Sequence, residues 1–206
     1  MIFMKFLIRL FTVSLLGILL TQCFGVSKTF PEKRFFLIET NDTKQLFSPP
    51  KPRTFFVRKV FISQRFEGKE FVYRKDNAVY ESDFYNGFFI PPSHNFKEEF
   101  SKSLIRSGNF EWDANLHTRV NVTHYIELNL SQLYGDFRSK EPKAVVEFEV
   151  VVYEDMNSIS SPVFRKTYKQ NITIEKKDAE ALVIGWNSAL NNAFTELNID
   201  LSKQLK

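Results

Sequence analysis

A single cysteine, Cys23, and seven glycines are all that the 206-residue chain contains of either type. With one thiol no internal disulfide can form, so the fold must be held by its hydrophobic core. So few glycines leave little room for a phosphate-cradling loop, and neither a G-x-S-x-G nor an H-E-x-x-H string is present. The three histidines, His94, His117 and His124, stand apart from one another and from Cys23, a spacing that predicts no metal site and no cofactor. No enzyme motif emerges, and the chain is expected to be non-catalytic. Charge of one sign is scarce as well: Lys and Arg total 28 against 24 acidic residues, and setting aside Lys5 and Arg9 at the N-terminus leaves an excess of two. The basic residues are interleaved with acidic ones instead of forming a stripe, which argues against nucleic acid as a partner.

Long apolar runs are limited to one. Lys5 and Arg9 precede Leu10–Leu20, which is broken only by Thr12, Ser14 and Gly17. A bilayer-spanning helix needs about 20 apolar residues, so this charged-then-apolar pattern predicts an export signal over residues 1–22. Directly after it stands Leu19-Leu20-Thr21-Gln22-Cys23. That string resembles the lipobox of bacterial lipoproteins, with Leu at −3 and Gln22 where a small residue is usual at −1, and it marks Cys23 as the lipid-attachment residue. Acylation with a diacylglycerol and an N-linked chain buries many methylenes at about 0.8 kcal/mol each and makes a durable anchor. Residues 23–33 read as a lipidated tether and 34–206 as one folded domain.

In that domain, alternation and β-branched or aromatic enrichment predict strands at 34–38, 54–62, 71–74 and 79–84. The strand at 54–62 is apolar on both faces and is expected to be central. Phe96, Phe100 and Leu104, widened by Ile105, repeat at helical spacing. Asn95 with Glu98 fits a capping box at the start of that helix, Gly108 a left-handed cap at its end, and Glu98 and Glu99 its polar face. Two long alternating runs, 118–133 and 143–154, joined through Gly135-Asp136, and a third strand at 162–174 predict an antiparallel meander. From Asp178 onward Leu182, Val183, Trp186, Leu190, Ala193, Phe194, Leu197 and Leu201 form a helical stripe. Gly185 within it costs about 1 kcal/mol relative to Ala, which implies that the helix backbone closely approaches another element. The expected fold is α/β, α+β-like: a mixed, largely antiparallel sheet packed against two main helices in a single domain.

These elements carry a set of short strings in fixed order: Val72-Tyr73-Arg74, Asp83-Phe84-Tyr85-Asn86-Gly87-Phe88-Phe89-Ile90-Pro91-Pro92, Tyr134-Gly135-Asp136-Phe137, Pro142-Lys143-Ala144-Val145, Gly185-Trp186-Asn187 and Ala189-Leu190. With the lipobox, they resemble the ABC-type transport auxiliary lipoprotein family, which includes the lipoprotein of the paraquat-inducible Pqi system. Phe88-Phe89 stand where many members carry a Trp. The resemblance implies a periplasmic accessory of a lipid transporter built from an ABC ATPase, a permease and a mammalian-cell-entry (MCE) substrate-binding protein. It would dock on the MCE component or form a homo-oligomeric collar around it. Phe24 after the Cys, in place of an Asp, favours the outer membrane. Tyr85, Phe88, Phe89 and Ile90 are the candidates for partner or lipid contact, being large apolar residues before Pro-Pro. The alternative is a stand-alone structural or surface lipoprotein of the envelope.

Overall fold

The computed structural model describes residues 3–4, 31–41, 49–117, 119–154 and 161–205. Apart from residues 3–4, the expected export signal lies outside the described residues, as do Cys23 and most of the tether. Contacts divide the chain into Met1–Glu32 and Lys33–Lys206, and all that follows concerns the second unit.

Among the described residues of this unit, eight strands form one mixed sheet, and two α-helices pack against it. The strands are β1 (Arg34–Phe36), β2 (Thr54–Ile62), β3 (Glu70–Arg74), β4 (Tyr80–Phe88), β5 (Trp112–Asp113), β6 (His124–Asp136), β7 (Lys143–Tyr153) and β8 (Phe164–Thr173). The helices are α1 (Pro92–Ser107) and α2 (Ala179–Gln204). The meander is present: β6 pairs antiparallel with β7, and β7 with β8. The middle of the sheet, however, belongs to β6. One of its edges carries β7, while the other is shared end to end by β2, parallel along Phe55–Ile62, and by β3, parallel at Tyr73 and Arg74. β2 is therefore not the central strand: beyond β6 it pairs only with the two-residue β5, at Thr54 and Phe55. From β3 the sheet continues antiparallel to β4 and parallel to β1.

Alternation places Ile126, Leu128 and Leu130 of β6 and Val146, Phe148, Val150 and Val152 of β7 in the core. A bulge between Leu130 and Gln132 shifts the phase, so that Leu133 is buried next. The opposite face is polar and laced with ion pairs: Arg58 to Glu127, Lys169 to Glu147, Arg165 to Glu149. One solvated face is what an antiparallel meander permits.

Both helices use the stripes their periodicity marks. All eight residues of the α2 stripe are buried, and Asp178 caps the helix by accepting a hydrogen bond from the Ala181 amide at 2.9 Å. Phe96, Phe100 and Leu104 of α1 are buried, whereas Ile105 is exposed. Gly108 terminates α1 with φ 75°, the left-handed conformation that glycine adopts without steric cost.

The start of α1 differs from the expected capping box. The helix begins at Pro92, because Pro at the first position has no amide to leave unpaired. Asn95 is thereby inside the helix and buried. Its side chain instead grips the chain beyond β1: Oδ1 accepts from the Ile38 amide at 2.8 Å and Nδ2 donates to the Ile38 carbonyl at 2.9 Å. Glu99, expected on the polar face, is also buried, and accepts from the Thr40 amide and hydroxyl, each at 2.7 Å. Gly135 and Asp136, expected in a turn, are the last two residues of β6, and the Asp136 carboxylate closes the following turn on Arg138.

Candidate contact site

The strings that carry the family resemblance converge at one end of the sheet, under the first half of α2. Tyr73 stacks on Phe137 with ring centroids 4.7 Å apart. An added Cβ on Gly135 would stand 3.1 Å from both Tyr73 and Leu182, so this glycine is what allows strand, ring and helix to meet. Trp186 lies fully buried between Phe71 and Phe88, at 5.0 and 5.4 Å. The side chain of Asn187 accepts a hydrogen bond from the Glu39 amide at 3.1 Å, fastening α2 to the segment after β1. Residues more than a hundred positions apart thus form one packed unit.

The outer surface of this end is shaped by β4. Glu70 of β3 pairs with Gly87, but Val72 pairs with Ser82, so β4 carries extra residues that have no partner on β3 and stand out from the sheet. Asp83 holds this bulge. Its carboxylate accepts from the amides of Tyr85 and Asn86 at 2.8 and 3.1 Å, from the Asn86 side chain at 2.8 Å and from the Tyr73 hydroxyl at 2.7 Å. Burial works against the ionised form, yet these hydrogen bonds outweigh it and hold the Asp83 pKa below the ordinary carboxylate range. Burial, reinforced by Asp83, pushes the Tyr73 phenol up in turn.

At the tip of the bulge Phe84 is 66% exposed and Tyr85 38%, their rings 5.2 Å apart and perpendicular. Phe35 of β1, 57% exposed, and Phe89, 61% exposed, extend the apolar surface. Two lysines border it: the Lys33 ammonium lies 4.0 Å above the Phe84 ring, and Lys69 donates to the Phe89 carbonyl at 2.9 Å. Glu70 shares this surface with them.

The four candidates named from sequence therefore separate. Tyr85 and Phe89 are at the surface and Ile90 is half-buried, but Phe88 is core, packed edge-on against Phe71 at 4.8 Å and stacked on Trp186. Phe88 has no surface with which to meet a partner. Phe35, Phe84, Lys33 and Lys69 were not singled out from sequence. The one sequence signal for them is Asp83 followed by Asn86 inside an alternating run, an Asx-type turn signature that interrupts a strand.

No protein-family model and no curated protein matches this chain in sequence. Its fold does match solved structures. A Xanthomonas campestris protein of the family designated DUF330 superposes with a TM-score of 0.70 at 14% identity, over 83% of this chain and 98% of that one. A second, described only as an uncharacterised protein, gives 0.62 at 10% identity over 85% and 99%. The domain thus has the α/β fold of these proteins across nearly their full length.

Elsewhere the titratable groups that depart from ordinary behaviour are tied into structure. Burial and the nearby Arg53 hold the His124 pKa down against the opposing pull of Glu154, and the imidazole packs edge-on against Phe110 at 5.3 Å. Glu99 is held below the ordinary range because hydrogen bonds from Lys102 and Thr40 outweigh its burial. A groove of about 840 Å³ along the outer face of α1 is lined by Lys97, Lys102 and Arg106, but these bond to Asn115, Glu98, Glu99 and Thr40. Among the described residues no three His, Cys, Asp or Glu side chains are grouped to hold a metal ion, and no helix is long and apolar enough to cross a membrane.

Proposed function

We propose that this protein is a non-catalytic, lipid-anchored lipoprotein of the bacterial envelope, held at the periplasmic face of the outer membrane through Cys23, and an accessory of an ABC/MCE-type lipid transporter. One observation carries the reading. The strings that resemble the transport auxiliary lipoproteins, scattered over the chain, assemble into one unit at the end where the chain from Cys23 joins the domain. What that end offers is an exposed aromatic and basic contact surface next to the first residue of the domain, Lys33. A surface of this kind serves contact with another body more readily than it serves chemistry. The fold shared with the Xanthomonas DUF330 protein supports the single-domain reading. Partners are expected to be the MCE substrate-binding protein and its permease and ATPase, with a homo-oligomeric collar as one mode of assembly.

The test is affinity purification of the tagged full-length chain from solubilised envelopes, with mass spectrometry of its N-terminus and of the co-purifying proteins. A triacylated Cys23 with an MCE protein is the expected result. A lipidated chain that comes down alone, under conditions that preserve other envelope complexes, leaves a stand-alone lipoprotein. An unmodified Cys23 removes the anchor.

A further inference from the structure

We infer that the β4 bulge is a membrane-contacting tip: Phe84 and Tyr85, flanked by Lys33 and Lys69, rest in the phospholipid headgroup layer and fix which end of the domain faces the bilayer. The inference builds on the lipid-anchored reading above and gives it an orientation.

Three observations support lipid as the occupant. The first is covalent. Lys33 lies ten positions after Cys23, and the intervening chain, fully extended, spans at most about 36 Å. The chain enters the domain at Lys33, and the ammonium of that residue lies on the Phe84 ring. The tether therefore bounds the distance from Lys33 to the headgroups, and the Phe84 surface lies at that attachment point. Such a tether also raises the effective concentration of the surface at the bilayer to the millimolar range, so a patch this small, too weak to hold a free protein, suffices to orient an anchored one.

The second is chemical. Two adjacent aromatics with lysines beside them reproduce the interfacial arrangement in which rings occupy the boundary layer while ammonium groups reach lipid phosphates. Asp83 does not spoil this balance, because its carboxylate is turned inward onto Tyr73, Asn86 and backbone amides. Glu70 is an acidic residue that shares this surface with the two lysines.

The third is mechanical. A strand needs no bulge to bury Phe88, yet this one is built and locked by four hydrogen bonds to a single carboxylate. Its effect is to carry two consecutive aromatic residues, which alternation would otherwise send to opposite faces, out of the sheet together.

The test uses the full-length lipidated protein in vesicles of phosphatidylethanolamine and phosphatidylglycerol, with and without brominated phosphatidylcholine. Tryptophan is placed by Phe84→Trp or, as a control on the polar face of the sheet, by Phe61→Trp, and the parent signal from Trp112 and Trp186 is subtracted. Phe84→Trp emission is expected to shift to the blue and to be quenched severalfold more by brominated lipid than that of Phe61→Trp. Equal quenching at the two sites, on protein whose Cys23 is shown to be acylated, overturns the tip while leaving the anchor intact. Blue-shifted emission without bromine quenching means that the tip is covered by protein and overturns it likewise. A chain without acyl groups on Cys23 overturns both readings together.

Discussion

Gly185 of α2 lies so close to Ala144 of β7 that a Cβ on the glycine would stand 2.6 Å from the Cβ of Ala144, and 2.5 Å from the Ile174 side chain. The helix rests on the sheet at this point through backbone. Gly185→Ala is expected to destabilise the domain by about 1 kcal/mol, because overpacking costs about 1–3 kcal/mol and exceeds the gain of about 1 kcal/mol in helix propensity. Urea unfolding measures this, and Ala144→Gly in the same chain should recover part of the loss. A stabilised Gly185→Ala protein would mean that the contact is soft.

Phe84 and Phe88 stand four residues apart on β4, with opposite fates. Phe88→Ala removes a ring packed against Phe71 and Trp186 and should cost about 3–5 kcal/mol. Phe84→Ala removes an exposed ring and should change stability by no more than about 0.5 kcal/mol. Paired denaturation curves test the separation. Comparable losses would place Phe84 in the core.

Asn95→Ala leaves the amide and the carbonyl of Ile38 without their partners in a buried setting. Stability should fall by about 1–3 kcal/mol. Hydrogen exchange at the Ile38 amide should rise more than that at β7 amides, since α1 then holds the segment after β1 only at Thr40, through Glu99 and Arg106. Uniform exchange across the domain would show that this segment does not open by itself.

Glu99 predicts an acid limb. Its pKa in the folded protein lies below the ordinary value of 4.5, so the stability it contributes is complete above that value and is lost as pH falls through the folded pKa. Unfolding measured from pH 6 to pH 3 should show stability declining below about pH 4.5, with a flatter decline in Glu99→Gln. An unchanged slope in that variant would assign the acid sensitivity to Asp83, Asp200 and the other carboxylates held low.

Local pattern makes some of this fold legible and leaves the rest hidden. β2 spans the residues its composition marks, and the α2 stripe and the Gly108 cap depend on neighbours within a turn or two. The close approach at Gly185 is legible because a glycine inside a good helix needs a reason. What pattern does not reveal is pairing between distant segments. The shared edge of β6, the burial of Glu99 against Thr40 and the grip of Asn95 on Ile38 each join residues more than fifty positions apart, and no periodicity encodes the partner. Phe88 and Phe89 show the limit for the site: strand alternation sends one inward and the other outward, but which is which depends on the bulge at Asp83.

The attachment of β1 bears on how the domain carries load. Any pull on the chain ahead of Lys33 reaches the fold through a strand of three residues, paired among the described residues only with β4 and in parallel. Behind that short ladder come three successive catches, Asn95 on Ile38, Asn187 on Glu39, and Glu99 with Arg106 on Thr40. Tension would therefore be taken up in steps at one margin, β1 first and each catch in turn, while the β6–β8 meander and α2 stay assembled. A body moored by its N-terminus could yield a few nanometres of chain to a jolt and then draw it back.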